Sequence, residues 1–175
     1  MDASWQTPAS RLVADLTTIF GERLQTVVAY GVVPQGLRGW PLSTMVLVAS
    51  VTGTDLEACA RLSATWKRDG LAIPLILPRV DFDRSLDAFP LEYTEILATH
   101  RLLHGVPLGA LPIDRADVRR ACEHQAKSHL LHLREGFIEA GGHPGAVTAL
   151  VAASARPFVA LLRQVASLSG VTTTD

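Results

Sequence analysis

Two runs of β-forming residues, "LQTVVAYG" from Leu24 and "MVLVASV" from Met45, constrain this chain more than any other feature. Neither alternates cleanly between apolar and polar side chains. A strand that is apolar on both faces must be covered on both, so these runs belong in a layered sheet rather than in a hairpin with one wet face. They predict strands over Val27 to Tyr30 and Met45 to Val51, joined by a loop rich in glycine. A third run, "LAIPLIL", predicts a strand over Ala72 to Leu77. Pro74 donates no hydrogen bond there, which points to an edge or a bulge. Helical spacing of Leu12, Val13, Leu16, Ile19 and Phe20, with Pro8 in the first turn, predicts a helix over 8–20. Leu56, Cys59, Ala60, Ser63 and Trp66 predict a second helix over 56–68, opened by a capping box from Thr54 to Glu57 and stopped near Gly70. The order is thus α, β, loop, β, α, β.

The second half reads differently. "RVDFDRSLDAFPLEYTEI" and "HRLLHG" yield only a short strand around Leu91 to Ile96. Beyond them Asp114 is placed to cap a long amphipathic helix whose apolar face carries Val118, Cys122, Ala126, Leu130, Leu133 and Phe137, and which Gly141 and Gly142 end. Pro144 opens another, lined by Val147, Leu150, Val151, Ser154, Phe158, Leu161, Leu162, Val165 and Leu168, with Pro157 bending it. The short turn between them predicts an antiparallel helical hairpin. The fold class is therefore α/β (α+β): a small mixed sheet flanked by helices over residues 1–110, then the hairpin over 111–175, with the boundary inside 104–114. There is no internal repeat and no low-complexity tract.

Composition excludes several functions. The 175 residues, 48% hydrophobic and 19% charged, suffice for a real core. A net charge of −1 and a pI near 6.6 give no broad basic field for nucleic acid. "MDASWQTPAS" lacks the pattern of a signal peptide, and no apolar run reaches membrane-spanning length, so the expected location is cytoplasmic. Cys59 and Cys122 each lie within an apolar helical pattern and read as buried small hydrophobes rather than a disulfide.

The stretch Val28 to Ser50, "VAYGVVPQGLRGWPLSTMVLVAS", has the frame of a phosphate-handling site: strand, glycine, glycine-bearing loop, strand. Together with "DAFPLEYTEILATHRLLHG" and the hairpin, it resembles the polymerase-β-type nucleotidyltransferase superfamily, in the form of minimal bacterial nucleotidyltransferase-domain proteins with a C-terminal helical hairpin. In that superfamily the first strand ends in Gly-Ser and the second begins with Asp-x-Asp. Here the resemblance puts Gly31 and Val32 at the first position, and Ser43, Thr44 and Met45 at the second. No Asp or Glu occurs between Glu22 and Asp55, and the third strand carries none either.

The chemistry of that departure is direct. Alternate strand residues share a face, so Asp-x-Asp sets two carboxylates side by side to hold two Mg²⁺ ions on a triphosphate. Mg²⁺ wants hard oxygen ligands, whereas Ser43 offers a neutral hydroxyl and Met45 a soft thioether. Val32 has no hydroxyl for a phosphate, and Arg38 and Trp40 are what remain near it beside Met45. The resemblance therefore implies a nucleotidyltransferase fold with a degenerate motif: no catalytic residue, no metal and no cofactor, with Gly31, Val32, Arg38, Ser43 and Met45 as the remnant of the nucleotide site. The plainer alternative is that Gly31, Gly36 and Gly39 only shape a turn.

Other constellations have plainer structural explanations. Asp81 and Asp83, with Asp87 and Glu92 nearby, are the acids an active metal-dependent enzyme of non-standard kind would use. Flanked by Arg79 and Arg84, they read instead as loop residues and the cap of a short turn. His129 and His132, with His124 on the same helix, have no third and fourth ligand at recognisable spacing. Ser128, Ser154 and Cys122 sit in no nucleophile motif. Arg115, Arg119, Arg120, Lys127, Arg134, Arg156 and Arg163 either line a groove or, interspersed with Glu123, Glu135 and Glu139, simply solvate a mixed helix face. The expected role is binding: a partner protein or small ligand in the cleft between the halves, or a homodimer through the C-terminal helices, an antitoxin-like pairing being one form of the former.

Overall fold

The computed structural model describes residues 5–31 and 41–170, with the side chain of Arg156 excepted. Ten elements of regular structure follow one another: α1 (Gln6–Phe20), β1 (Leu24–Tyr30), β2 (Ser43–Val48), α2 (Gly53–Arg68), β3 (Leu75–Pro78), α3 (Arg79–Arg84), α4 (Pro90–Thr99), β4 (Arg101–Gly105), α5 (Arg115–Glu139) and α6 (Pro144–Leu168). A single 3-10 turn, Gly21–Arg23, joins α1 to β1. The chain forms two compact units, one of residues 1–86 with 96–112 and one of 87–95 with 113–175.

In the first unit the four strands form a mixed sheet in the order β3-β2-β1-β4. β1 runs antiparallel to β2 and β4, and β2 runs parallel to β3. The two apolar runs thus occupy the two central strands, where Val27, Val28, Ala29, Met45, Val46, Leu47 and Val48 are all buried. Leu12, Leu16 and Phe20 of α1 and Cys59 and Trp66 of α2 cover one face, packing on Leu24, Val27, Val46 and Val48. The Trp66 indole donates to Asp15 Oδ2 at 2.8 Å, which satisfies the polar end of a buried aromatic side chain. This α/β unit followed by a helical hairpin is the layout that the resemblance implies.

One ionic contact ties three of these pieces together. Arg23 donates through both terminal nitrogens to the two oxygens of Asp55, at 2.7 and 2.8 Å, and also to the Ser50 carbonyl at 3.2 Å. Asp55 is itself the N3 residue of α2's capping box: its carboxylate accepts from the Thr52 backbone N–H, and the Thr52 hydroxyl accepts from the Asp55 N–H. The helix therefore begins two residues earlier than the Thr54 to Glu57 reading placed it. The same Thr-x-x-acid pattern occurs twice in overlap, and the copy whose acid also meets Arg23 is the one used.

Other boundaries moved for equally local reasons. β3 starts at Leu75 rather than Ala72, because Pro74 cannot donate to a ladder; upstream of it only Leu71 makes an isolated bridge, to Leu42. β3 is an edge strand, as Pro74 indicated. The segment Leu91 to Ile96 is not a strand but part of α4. Its β-formers Tyr93 and Ile96 are three residues apart and both buried, and Thr94 bonds back to the Pro90 carbonyl at 2.6 Å. Helical spacing of the buried positions prevails over β propensity there. "HRLLHG", unassigned from sequence, supplies β4.

In the second unit α5 is capped by Asp114, whose Oδ1 accepts from Ala116 N–H at 2.8 Å, and α6 opens at Pro144. α6 bends by 41° at the break before Pro157. Contacts along the pair, Gly136 with Leu150, His129 edge-on to Phe158 and Arg115 with the Leu168 carbonyl, define an antiparallel hairpin. Val118, Cys122 and Leu161 form its buried cluster, joined by Leu91, Ile113 and Leu168. Leu130 and Phe137 do not lie inside, as the sequence suggested, but stand 49% and 59% exposed. The seam near the tip is closed by small residues instead: a Cβ on Gly136 would come within 2.7 Å of Leu150 Cδ1. Such close helix contact turns the larger side chains outward.

Two outcomes follow. Hydrogen bonding to Arg23 and Thr52 holds the Asp55 carboxyl well below its ordinary value of 3.8. A carboxyl whose pKa is lowered by folding adds stability above its unfolded value, and that stability is lost as pH falls. Asp55→Asn is therefore expected to lower the denaturation midpoint at pH 7, with the gap from wild type narrowing as pH drops below 3.8, as urea titrations across pH would read. Gly105 has φ +79°, and a Cβ there would lie 1.9 Å from the Gln25 carbonyl oxygen. Gly105→Ala is expected to cost at least about 2 kcal/mol, measured by the same titration at neutral pH.

Candidate functional site

The antiparallel pairing of β1 and β2 sets Tyr30 opposite Ser43 and Val28 opposite Met45, so the end of one strand lies beside the start of the next. Gly31 closes β1 with φ +62°, a left-handed conformation that favours glycine. Its N–H donates to the Thr99 hydroxyl at 3.0 Å, at the end of α4. That donor is thus taken by a side chain that the sequence gave no reason to choose, and the N–H groups after Gly31, which the sequence offered to an anion, lie outside the described residues. Val32, Arg38 and Trp40 lie outside the described residues.

Strand alternation puts Ser43, Met45 and Leu47 on one face and Thr44, Val46 and Val48 on the other, toward α1 and α2. Ser43 is half-buried, whereas Met45 is completely enclosed at 0% exposure. Met45 was expected to line a cleft; its side chain instead fills the interior on the face away from α1 and α2. As a donor set, a neutral hydroxyl and an enclosed thioether do not suit a pair of Mg²⁺ ions. Among the described residues no group of three His, Cys, Asp or Glu side chains is placed to hold a metal ion.

The remaining candidates are dispersed. Asp81 and Asp83 belong to the six-residue helix α3 rather than to a loop. Two residues apart on a helix they diverge by about 200°, and Asp83 accepts from Arg79 Nε through both oxygens, at 2.9 and 3.0 Å. Asp87 and Glu92 are exposed and belong to the second unit, Glu92 in the first turn of α4. His132 contacts Glu135 at 3.3 Å, and His129 meets Gln125 at 3.3 Å and Phe158 edge-on. Arg119 pairs with Glu123 and Arg120 with Asp117, while Arg115 donates to the Leu168 carbonyl. These basic residues are engaged within their own unit. Cys59 and Cys122 are free and buried, and burial pushes both thiols up, away from reactivity.

Thr44, between the two remnant positions, is the residue that sequence reasoning passed over. It is buried, and its hydroxyl has no hydrogen-bond partner among the described residues. A threonine in a β-rich run reads as an ordinary strand former, so nothing in the sequence marks this.

No family model matches the chain, and no curated protein matches it. Among solved structures, one similar to it is the complex of a tri-AMPylated Shewanella oneidensis HEPN toxin with MNT antitoxin, at 12% identity and a TM-score of 0.39, covering 72% of this chain and 93% of that one. Another is a mutant of the toxin–antitoxin MntA-HpeT, at 18% identity and a TM-score of 0.37, covering 75% and 95%.

Thr44→Val replaces an unpartnered buried hydroxyl by a methyl of the same shape. It is expected to stabilise the protein by about 1 kcal/mol, read as a higher midpoint in urea.

Proposed function

We propose that this chain is a nucleotidyltransferase-like protein that transfers no nucleotide and acts by binding another protein through its C-terminal helices. The observation that carries the proposal is a set of large apolar side chains left exposed on the hairpin: Leu130, Leu131, Phe137 and Ile138 on α5, and Val151, Phe158, Leu162 and Val165 on α6. Scattered exposed apolar residues need no explanation, but six of these, Leu130, Phe137, Val151, Phe158, Leu162 and Val165, share one side of the hairpin, which is characteristic of a docking surface. The partner is a protein chain with an apolar helical face of its own. Self-association through the same helices is the simplest form of this, and an antitoxin-like pairing with a different protein is another.

The absence of transfer rests on Ser43 and Met45. Phosphoryl-type chemistry depends chiefly on metal ions and cations that neutralise charge at the transferring group. With a neutral hydroxyl and an enclosed thioether at the strand end, a triphosphate would meet no paired carboxylates with bridging metals. The Gly31 N–H is already engaged by Thr99. Asp81 and Asp83 supply no substitute, since they diverge and Asp83 is held by Arg79.

Calorimetry with ATP, GTP, CTP and UTP at saturating Mg²⁺ or Mn²⁺, together with a labelled-nucleotide transfer assay, is expected to show neither micromolar binding nor transfer. Metal-dependent micromolar binding that disappears in Asp81→Ala and Asp83→Ala would establish a metal site on α3 and overturn the proposal. Such binding surviving those changes would place the site at the strand ends and overturn it equally.

A further inference from the structure

Most of the exposed apolar residues of the hairpin share one side of it, while Leu131, Ile138 and Val159 face away from the seam. At 100° per residue, Val151, Phe158, Leu162 and Val165 fall within about 60° of one another on α6, and Leu130 and Phe137 within about 20° on α5. Measured from the seam, which Cys122, Gly136 and Ala140 mark on α5 and Leu150, Leu161 and Leu168 on α6, each group is rotated by about 80° in the same sense. Because the helices are antiparallel, equal rotations in the same sense bring both groups onto one side of the hairpin. The result is a single apolar flank.

Its size and pattern point to an occupant. Val151, Phe158, Leu162 and Val165 are 59%, 46%, 50% and 43% exposed. With Leu130 and Phe137 they offer on the order of 500 Å² of apolar surface at ordinary side-chain sizes, or about 1,000 Å² across two copies, which reaches the lower end of specific interfaces. On α6 the spacing is a heptad, Val151, Phe158 and Val165, so the pattern is symmetric about Phe158. Turned end for end, it presents Val165 to Val151, Phe158 to itself, and Leu162 to the small Ser154. The α6 flank carries no charged residue. On α5 Arg119 and Glu123 at its rim pair with each other, and Arg134 borders Leu130 and Phe137.

The sheet offers no competing route to assembly. β3, one edge, is bounded by Pro74 and Pro78, and β4, the other, carries Arg101 and a register shift opposite Val27 and Val28. Prolines, charges and bulges are what blunt a strand edge.

We propose that the flank is an isologous interface occupied by a second copy of this chain, with α6 crossing its symmetry mate antiparallel and the two-fold axis passing at Phe158. This rests on the binding role proposed above and specifies its partner and register.

The test uses the full chain, in which the native cysteines are buried and do not compete. A residue on a two-fold axis lies next to its own copy, within the Cα separation of about 7 Å that a disulfide can bridge. Phe158→Cys is therefore expected to form a covalent dimer under a glutathione redox buffer. Arg163→Cys, about 140° round the helix, is expected to stay monomeric on a non-reducing gel. In sedimentation equilibrium the wild type is expected to be a dimer at tens of micromolar. Leu162→Asp, at an exposed site, is expected to leave circular dichroism unaltered and to weaken that dimer at least tenfold. A wild-type monomer at hundreds of micromolar, a dimer indifferent to Leu162→Asp, or faster cross-linking through Arg163→Cys would each overturn the inference. These readouts are separate from nucleotide binding: a monomer that still binds no nucleotide removes the second copy as partner and leaves the loss of transfer standing, whereas a dimer that binds Mg²⁺-nucleotide does the reverse.

Discussion

The antiparallel pairing of β1 with β2 is the constraint on which the first unit depends. Both strands are apolar on both faces, so each must be buried from either side, and that requirement recruits α1 and α2 to one face and closes the other. The pairing also brings Gly31 beside Ser43 and forces Met45 inward opposite Val28. Met45, which the resemblance sets where a carboxylate would stand, is thereby part of the core. An Asp in the place of Met45, with its present enclosure, would be a buried charge without a partner, at a cost of several kcal/mol.

The best-made charge contact in this unit serves a structural joint. The most engaged ion pair, Arg23 with Asp55, links the turn after α1, the end of the β2 segment and the start of α2, and it is bidentate, with Arg23 also 5.5 Å from the Phe20 ring. That geometry favours arginine over lysine, because a planar fork matches a carboxylate and stacks on an aromatic face. Exposed pairs such as Arg11 with Asp69, by contrast, contribute little.

How much of this could be read in the sequence depended on whether the signal was local. The central strands, the helix capped by Asp114 and the helix opened by Pro144 were legible because apolar runs, caps and prolines act within a few residues. α4 and β4 were not. "PLEYTEI" is written in β-formers, and only the packing of Tyr93 and Ile96 makes it a helix. "RLLHG" is too short to announce a strand, and it forms one because β1 supplies a partner. Of the site, Gly31, Ser43 and Met45 could be nominated as positions, but the enclosure of Met45, the orphaned Thr44 hydroxyl and the Thr99 bond to Gly31 are tertiary facts. In the hairpin, the apolar stripe was visible, yet its division between seam and flank was set by Gly136, whose missing side chain lets Leu150 approach.

The proposed account places this protein's activity in its hairpin flank and none at its strand ends. Hydrogen–deuterium exchange of the wild-type chain, followed at low and high protein concentration with and without Mg²⁺-ATP, tests both halves at once. Slowed exchange confined to the flank residues of α5 and α6 at high concentration, with residues 24–48 unaffected by nucleotide, is the predicted result. Protection of residues 24–48 by Mg²⁺-ATP, with α6 indifferent to concentration, would contradict it.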